Sequence, residues 1–201
     1  MSDIVIRKGK PEDAPHYAEL VVATAPILFP TLFGSTVKSL MTKLFKHRRH
    51  YFSFDSSYFA ELDGKMAGMA QLHKREPGMK EKTRLGLLLF KYLNWRFPNK
   101  IAGLLRSERV MWLATNKDCY LSCVAVYPEF RGQGIGTKLL EAVEEEAKNI
   151  GKKRIVLKAE THNTRAINLY QRLGYKVELK PPVLKIRNRV FESFKISKQI
   201  S

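Results

Sequence analysis

Acidic residues are scarce in this chain. Nineteen Asp and Glu stand against 36 Lys and Arg, which leaves a formal charge of +17. A field of that sign attracts polyanions. Cysteine is scarcer still: Cys119 and Cys123 are the two in the chain, four residues apart on one predicted strand. At about 3.3 Å per residue their Cα atoms stand about 13 Å apart, beyond disulfide reach. A disulfide-stapled scaffold is therefore excluded. The start MSDIVIRKG has no apolar signal-peptide core, so a reduced, cytoplasmic protein is expected. Long apolar runs are lacking as well. The longest, Leu85 to Phe90, is interrupted by Gly86 and is far too short to span a bilayer. His47, His50 and His162 share no ligand spacing with a carboxylate or Cys pair, so no metal is predicted. Nor does the chain contain the Gly-x-x-x-x-Gly-Lys-Ser/Thr string of a Walker loop.

What is present is ordinary globular composition, 44% hydrophobic and 27% charged over 201 residues. A single domain over residues 1–201 is the economical expectation. Its organising stretch is LSCVAVYPEFRGQGIGTKLLEAVEEEAKNIG, beginning at Leu121. Leu121 to Val126 form the apolar run of a strand buried on both faces, and Pro128 ends it. Gly132, Gly134 and Gly136 then alternate just before a helix. Leu139, Leu140, Val143, Ala147 and Ile150 recur at helical spacing, opposite Glu141, Glu144, Glu145 and Lys148, and Gly151 is the expected stop.

The first N–H groups of a helix have no intrahelical partner, and the macrodipole makes that end partly positive. Glycines let a bulky anion approach those amides, and Arg131 adds a full charge, so the junction suits a pyrophosphate. A dinucleotide fingerprint would need Gly-x-Gly-x-x-Gly. Counted from Gly132 its third glycine position holds Thr137, and counted from Gly134 it holds Leu139. Glu160, at the end of the next predicted strand, does imitate the ribose-binding acid of that motif.

Arg131-x-x-Gly134-x-Gly136, after a strand ending in Val126-Tyr127-Pro128, resembles the acetyl-CoA signature of the GCN5-related N-acetyltransferases (GNAT), Arg/Gln-x-x-Gly-x-Gly/Ala. A second block, Asn163-Thr164-Arg165-Ala166-Ile167-Asn168-Leu169-Tyr170-Gln171-Arg172-Leu173-Gly174-Tyr175, is similar to that family's Asn-x-x-Ala-x-x-x-Tyr-x-x-x-Gly-Phe/Tyr helix. It begins 27 residues after Gly136. The resemblance is strong over about residues 120–176 and weak over the N-terminal third.

The resemblance implies an α/β fold with a mixed, mostly antiparallel sheet, splayed between its fourth and fifth strands and flanked by helices. Acetyl-CoA would enter the splay as cosubstrate. Residues 119–176 would form its core, with Val124, Ala125, Val126, Arg131, Gly132, Gln133, Gly134, Ile135, Gly136, Thr137, Asn163 and Tyr170 as contacts. The implied activity is N-acetyl transfer to a primary amine, by direct attack in a ternary complex. Tyr170 would be the general acid for the leaving thiolate. Asn163 is a cofactor contact or simply the helix N-cap that Asn favours. The base is the open point. Where the family places a carboxylate, on its fourth or fifth strand, this chain has Tyr120 and Lys158. Glu160 is the base candidate; Asp118, Glu76, His73 or an ordered water are alternatives. The acceptor is not legible.

The remaining elements follow in order. Ile4 to Arg7 alternate as a strand; Pro11-Glu12-Asp13 opens a helix to about Ala25. Pro26 and Pro30 break the chain, and a second helix runs from Thr36 to about Phe45. Asp63-Gly64 is a hairpin signal between Tyr58–Leu62 and Met66–Leu72. Strands are expected at Tyr175–Leu179 and Val190–Ile196. Residues 73–118 are longer than the turn the family has between strands three and four. Helices are expected there from Leu85 to Phe97 and from Asn99 to about Leu113. Such an insert is either part of the acceptor pocket or a lid, or else a cover for a sheet edge or a homodimer contact. The run Lys43 to His50 is densely basic. It keeps open an alternative: a non-catalytic acyl-CoA-sensing or nucleic-acid-binding module on the same fold. No recognised nucleic-acid motif accompanies it.

Overall fold

The structure is a computed structural model that describes residues 3–93, 115, 117–179, 183–186 and 188–200. Its chain order is β1 (Ile4–Lys8), α1 (Ala14–Thr24), α2 (Leu28–Phe33), α3 (Val37–Phe45), β2 (Ser57–Leu62), β3 (Lys65–His73), α4 (Met79–Leu93) and β4 (Asp118–Val126). Then come α5 (Ile135–Asn149), β5 (Arg154–Glu160), α6 (Thr164–Arg172), β6 (Lys176–Leu179), β7 (Leu184–Ile186), β8 (Arg189–Phe191) and β9 (Ser193–Gln199). Seven strands form one sheet in the order β1-β2-β3-β4-β5-β9-β6, and β7 and β8 form a separate hairpin. Only the β4–β5 pair is parallel, among the described strands.

Helices cover both faces. On one, Tyr17, Val21, Leu40, Leu44 and Phe45 of α1 and α3 pack with Phe59 and Met69, and Leu85 and Leu89 of α4 join them. On the other, Ile135, Leu139, Leu140, Val143 and Ala147 of α5 pack with Ala60, Leu72, Leu121 and Leu157. The spacing that marked α5 as amphipathic is thus the spacing of its buried face. Ile150 departs from it. This residue lies beyond the helix end and is exposed.

Several boundaries differ from expectation for local reasons. Pro30 does not break the chain but sits inside α2. Its missing N–H belongs to the first helical turn, where no partner is required. Helix α4 starts six residues before Leu85, because the Glu81 carboxylate accepts from the Gly78 N–H at 2.6 Å and caps the first turn. The expected strand Val190–Ile196 is two strands, with Val190 in β8 and Ile196 in β9. Trp95, Phe97 and the expected helix Asn99–Leu113 lie outside the described residues. The Asp63-Gly64 hairpin is as expected: both residues take positive φ, and Leu62 pairs with Lys65 across it.

One irregularity positions the site. Gln71 pairs with Cys123 but Leu72 pairs with Leu121, so Ser122 is an extra residue in β4. A bulge of this kind bends its strand and disrupts the ladder. The parallel pairing of β4 with β5 runs from Asp118–Arg154 to Leu121–Leu157 and stops there. Beyond it β4 continues to Val126 and β5 to Glu160, while β5 stays paired with β9 up to Glu160–Ser193. The sheet opens into a V. Its closed end is held by Arg154, whose Nε and Nη2 each donate to the Asp118 carboxylate at 2.9 Å.

Candidate functional site

A cavity of about 670 Å³ occupies the V. Val124, Ala125 and Val126 form one wall, and the glycine turn with the start of α5 forms its floor. Residues of β4 beyond the bulge keep β3 on one edge and lack β5 on the other. Their free-edge N–H and C=O groups therefore face the opening. Gly68 lets β3 and β4 approach at this place: a Cβ there would stand 2.6 Å from the Ala125 carbonyl oxygen.

The turn is built for an anion. Gly134 is the N-cap of α5 at φ 81°, in the left-handed region where a side chain is strained, and Gly132 lies at φ 83°. A Cβ at either position would meet nothing within 4 Å, so the cradle is open. The unpartnered amides that begin α5 point into it. Arg131 is held at its rim, its Nε donating to the Val126 carbonyl at 3.2 Å. These features fit a pyrophosphate.

The two sequence blocks meet in space. A Cβ on Gly136 would be 3.1 Å from Leu169 Cδ2, so the first turn of α5 packs directly on α6. The Asn163 side chain accepts from the Ala166 N–H at 3.2 Å, so it is the N-cap of α6 as well as part of the cavity wall. Tyr170 is 7% exposed, and burial, with Cys123 nearby, pushes its phenol well above the ordinary range. Its hydroxyl keeps its proton at neutral pH. Of the cofactor residues named from sequence, Gln133 alone is not in the cavity wall; its side-chain amide donates to the Glu129 carbonyl at 3.3 Å.

The candidate bases separate. Glu160 lines the cavity and pairs with exposed His162 at 3.2 Å. Asp118 is at the closed end of the V, bound to Arg154 and Thr115. Glu76 pairs with Lys82, and neither of these acids is in the cavity wall. His73 is stacked 4.3 Å from Tyr51, and burial drops it to about 3, so it is neutral. Burial likewise pushes the Cys123 thiol up to about 11, which leaves almost no thiolate at neutral pH.

Sequence reasoning missed wall residues from distant segments, among them Phe29, Tyr51, Phe191 and Glu192. Treating 190–196 as one strand hid Glu192, which lies between β8 and β9 and whose carbonyl accepts from the Thr161 N–H at 3.2 Å. Helix α4 contributes nothing to the wall; its Leu85 and Leu89 share a core cluster with α3, and its Tyr92 hydroxyl lies 2.7 Å from His47, just past the end of α3. No helix of the described residues is long and apolar enough to cross a membrane, and none of their side chains group into a metal site.

This V, opened where the parallel β4–β5 pairing stops and floored by a glycine turn, defines a class. The family model for acetyltransferases (GNAT) matches residues 26–175. The chain belongs to that family. It is 45% identical over 56 residues, 28% of its own length, to N-alpha-acetyltransferase 30 of Schizosaccharomyces pombe, covering 37% of that relative. It is 43% identical over 60 residues, 30% of its length, to a Mus musculus thialysine N-epsilon-acetyltransferase, covering 35% of it. An Escherichia coli L-amino acid N-acyltransferase, MnaT, is 37% identical over 59 residues, 29% of this chain and 34% of the relative. The chain thus matches about a third of the length of each of these relatives. Among solved structures, an N-acetyltransferase from Staphylococcus aureus Mu50 superposes with a TM-score of 0.70 at 18% identity, over 95% of this chain and 99% of that one. The protein yncA of Salmonella typhimurium, solved with acetyl-CoA, gives 0.57 at 16% identity, over 98% and 94%. These structures share the GNAT fold with this chain.

Proposed function

We propose that this protein transfers an acetyl group from acetyl-CoA to a primary amine, by direct attack within a ternary complex. The observation that carries this is the joining of the glycine cradle, the splayed strand edge and a protonated Tyr170 in one cavity. Bound acetyl-CoA supplies an activated thioester. The amides of the glycine turn and of the start of α5, with Arg131, hold the pyrophosphate. The free edge of Val124–Val126 pairs with the pantetheine arm and aims N–H groups at the thioester carbonyl. Positioning does most of the remaining work, since the amine needs only to be held in line with that carbon. Tyr170 delivers a proton to the departing sulfur, and Glu160 takes one from the amine, directly or through water.

The named activities of the relatives, on amines of N-termini, thialysine and amino acids, support amine acetylation. The test is amine-dependent release of CoA thiol from acetyl-CoA, measured over a panel of amino acids, diamines and peptides. Release with at least one amine, with acetylation of that amine seen by mass spectrometry, is the expected result. Acetyl-CoA binding with no amine-dependent release over the panel would overturn the catalytic reading in favour of an acyl-CoA-sensing module.

A further inference from the structure

Lys158 has no role in the chemistry above, yet it stands in the cavity wall. Along β5, Ile155, Leu157 and Ala159 turn toward α5, so Lys158 and Glu160 turn to the opposite face. The parallel register sets Val156 beside Tyr120 and ends at Leu157. Lys158 is therefore the first β5 residue on its face inside the V. The same cavity wall carries the aromatic and apolar side chains of Phe29, Tyr51, Tyr120, Leu184 and Phe191, together with Arg131, Arg165 and Arg172.

We propose that Lys158 is the cation that recognises the acceptor, and that the acceptor amine carries a carboxylate. This rests on the acetyl-transfer reading and names the class of its substrate. A cation removed from water is costly unless an anion accompanies it. Two other partly covered lysines of this sheet follow that rule. On β9, Lys195 holds Glu178 at 2.7 Å and Lys198 holds Glu144 at 2.6 Å. Lys158 forms no such pair among the described residues, and burial alone depresses its ammonium to about 8. Glu160, the next residue on its face, is engaged with His162. At pH 7 the Lys158 side chain is still mostly cationic, and it is the half-buried cation of a wall whose arginines, Arg131, Arg165 and Arg172, are exposed. A carboxylate brings one negative charge in return. A phosphate, with nearly two, would overcharge this half-buried position, because the arginines of the wall are exposed and remain in water.

The test uses the full chain saturated with CoA, titrated calorimetrically with N-acetylalanine and N-acetylphenylalanine, each as free acid and as amide. Wild type should bind at least one acid about tenfold more tightly than its amide. Lys158→Met should erase that preference and Lys158→Arg should retain it, with melting temperatures confirming that both variants fold. Equal binding of acid and amide by wild type, no binding of either, or a preference that survives Lys158→Met would overturn the proposal. Inorganic phosphate and acetate, added as competitors, separate the anions: stronger displacement by phosphate would overturn the assignment to a carboxylate. The two readings fail separately. Turnover of amines without an acid preference would leave acetyl transfer standing and remove Lys158. A Lys158-dependent acid preference without amine-dependent thiol release would remove acetyl transfer and leave Lys158 a carboxylate site with no acceptor role.

Discussion

The closed end of the V makes a quantitative prediction. Asp118 is 3% exposed at its side chain, receives two donors of Arg154 at 2.9 Å, and also accepts the Thr115 N–H at 2.7 Å and the Thr115 hydroxyl at 2.8 Å. Burial alone would raise its carboxyl; the Arg154 and Thr115 bonds outweigh that and hold it at about 2, against an ordinary 3.8. The folded value is the lower one, so the ionised carboxylate contributes stability above about pH 3.8 that is lost as pH falls through about 2. At about 1.4 kcal/mol per tenfold step, the difference between 3.8 and 2 amounts to about 2.4 kcal/mol at pH 7. By pH 3 about 1.1 kcal/mol of it should be gone, nearly all below pH 5. Urea unfolding of wild type and Asp118→Asn at pH 7, 5, 4 and 3 isolates this group from the other carboxylates. The stability gap between the two chains should narrow by about 1.1 kcal/mol from pH 5 to pH 3. A gap that does not change with pH would refute the claim that this ion pair closes the V.

Other perturbations read the site itself. Tyr170→Phe should lower kcat in thiol release by about 10²-fold or more, the scale of a lost proton donor; unchanged turnover at saturating acetyl-CoA would remove Tyr170 from the chemistry. Gly68→Ala places a Cβ 2.6 Å from the Ala125 carbonyl oxygen. It should cost about 1–3 kcal/mol in urea unfolding and weaken CoA binding by displacing β4; an unchanged midpoint would mean that β3 and β4 adjust freely. Arg131→Glu puts a negative charge at the mouth of the anion cradle and should weaken CoA binding about tenfold or more in low salt, with the effect shrinking as salt rises.

Legibility in the sequence followed the physics of each segment. The glycine turn, α5 and α6 were readable because their demands are local: a positive φ at Gly134, an apolar stripe from Ile135 to Ala147, an Asn cap at Asn163. The splay was legible only through the family resemblance. What makes it here is the extra residue Ser122, and nothing about a serine announces a bulge; it shows in the register against Gln71 and Leu72. Helix α2 was hidden by Pro30, since a proline in a first turn and a proline that ends a helix read alike. Glu192, Phe29 and Tyr51 reach the cavity from distant parts of the chain, and no spacing encodes such a meeting. Lys158 could be read as a departure from the family pattern. That it stands in a largely apolar wall without a carboxylate partner required the folded chain.

The most direct measurement is calorimetric titration of the purified chain with acetyl-CoA, CoA and NAD in parallel. The cradle, the β4 edge and Tyr170 together predict saturable binding of both CoA species and none of NAD, with Arg131→Glu weakening the first two. Failure of acetyl-CoA and CoA to bind, or NAD binding as well as they do, would contradict the account at its centre.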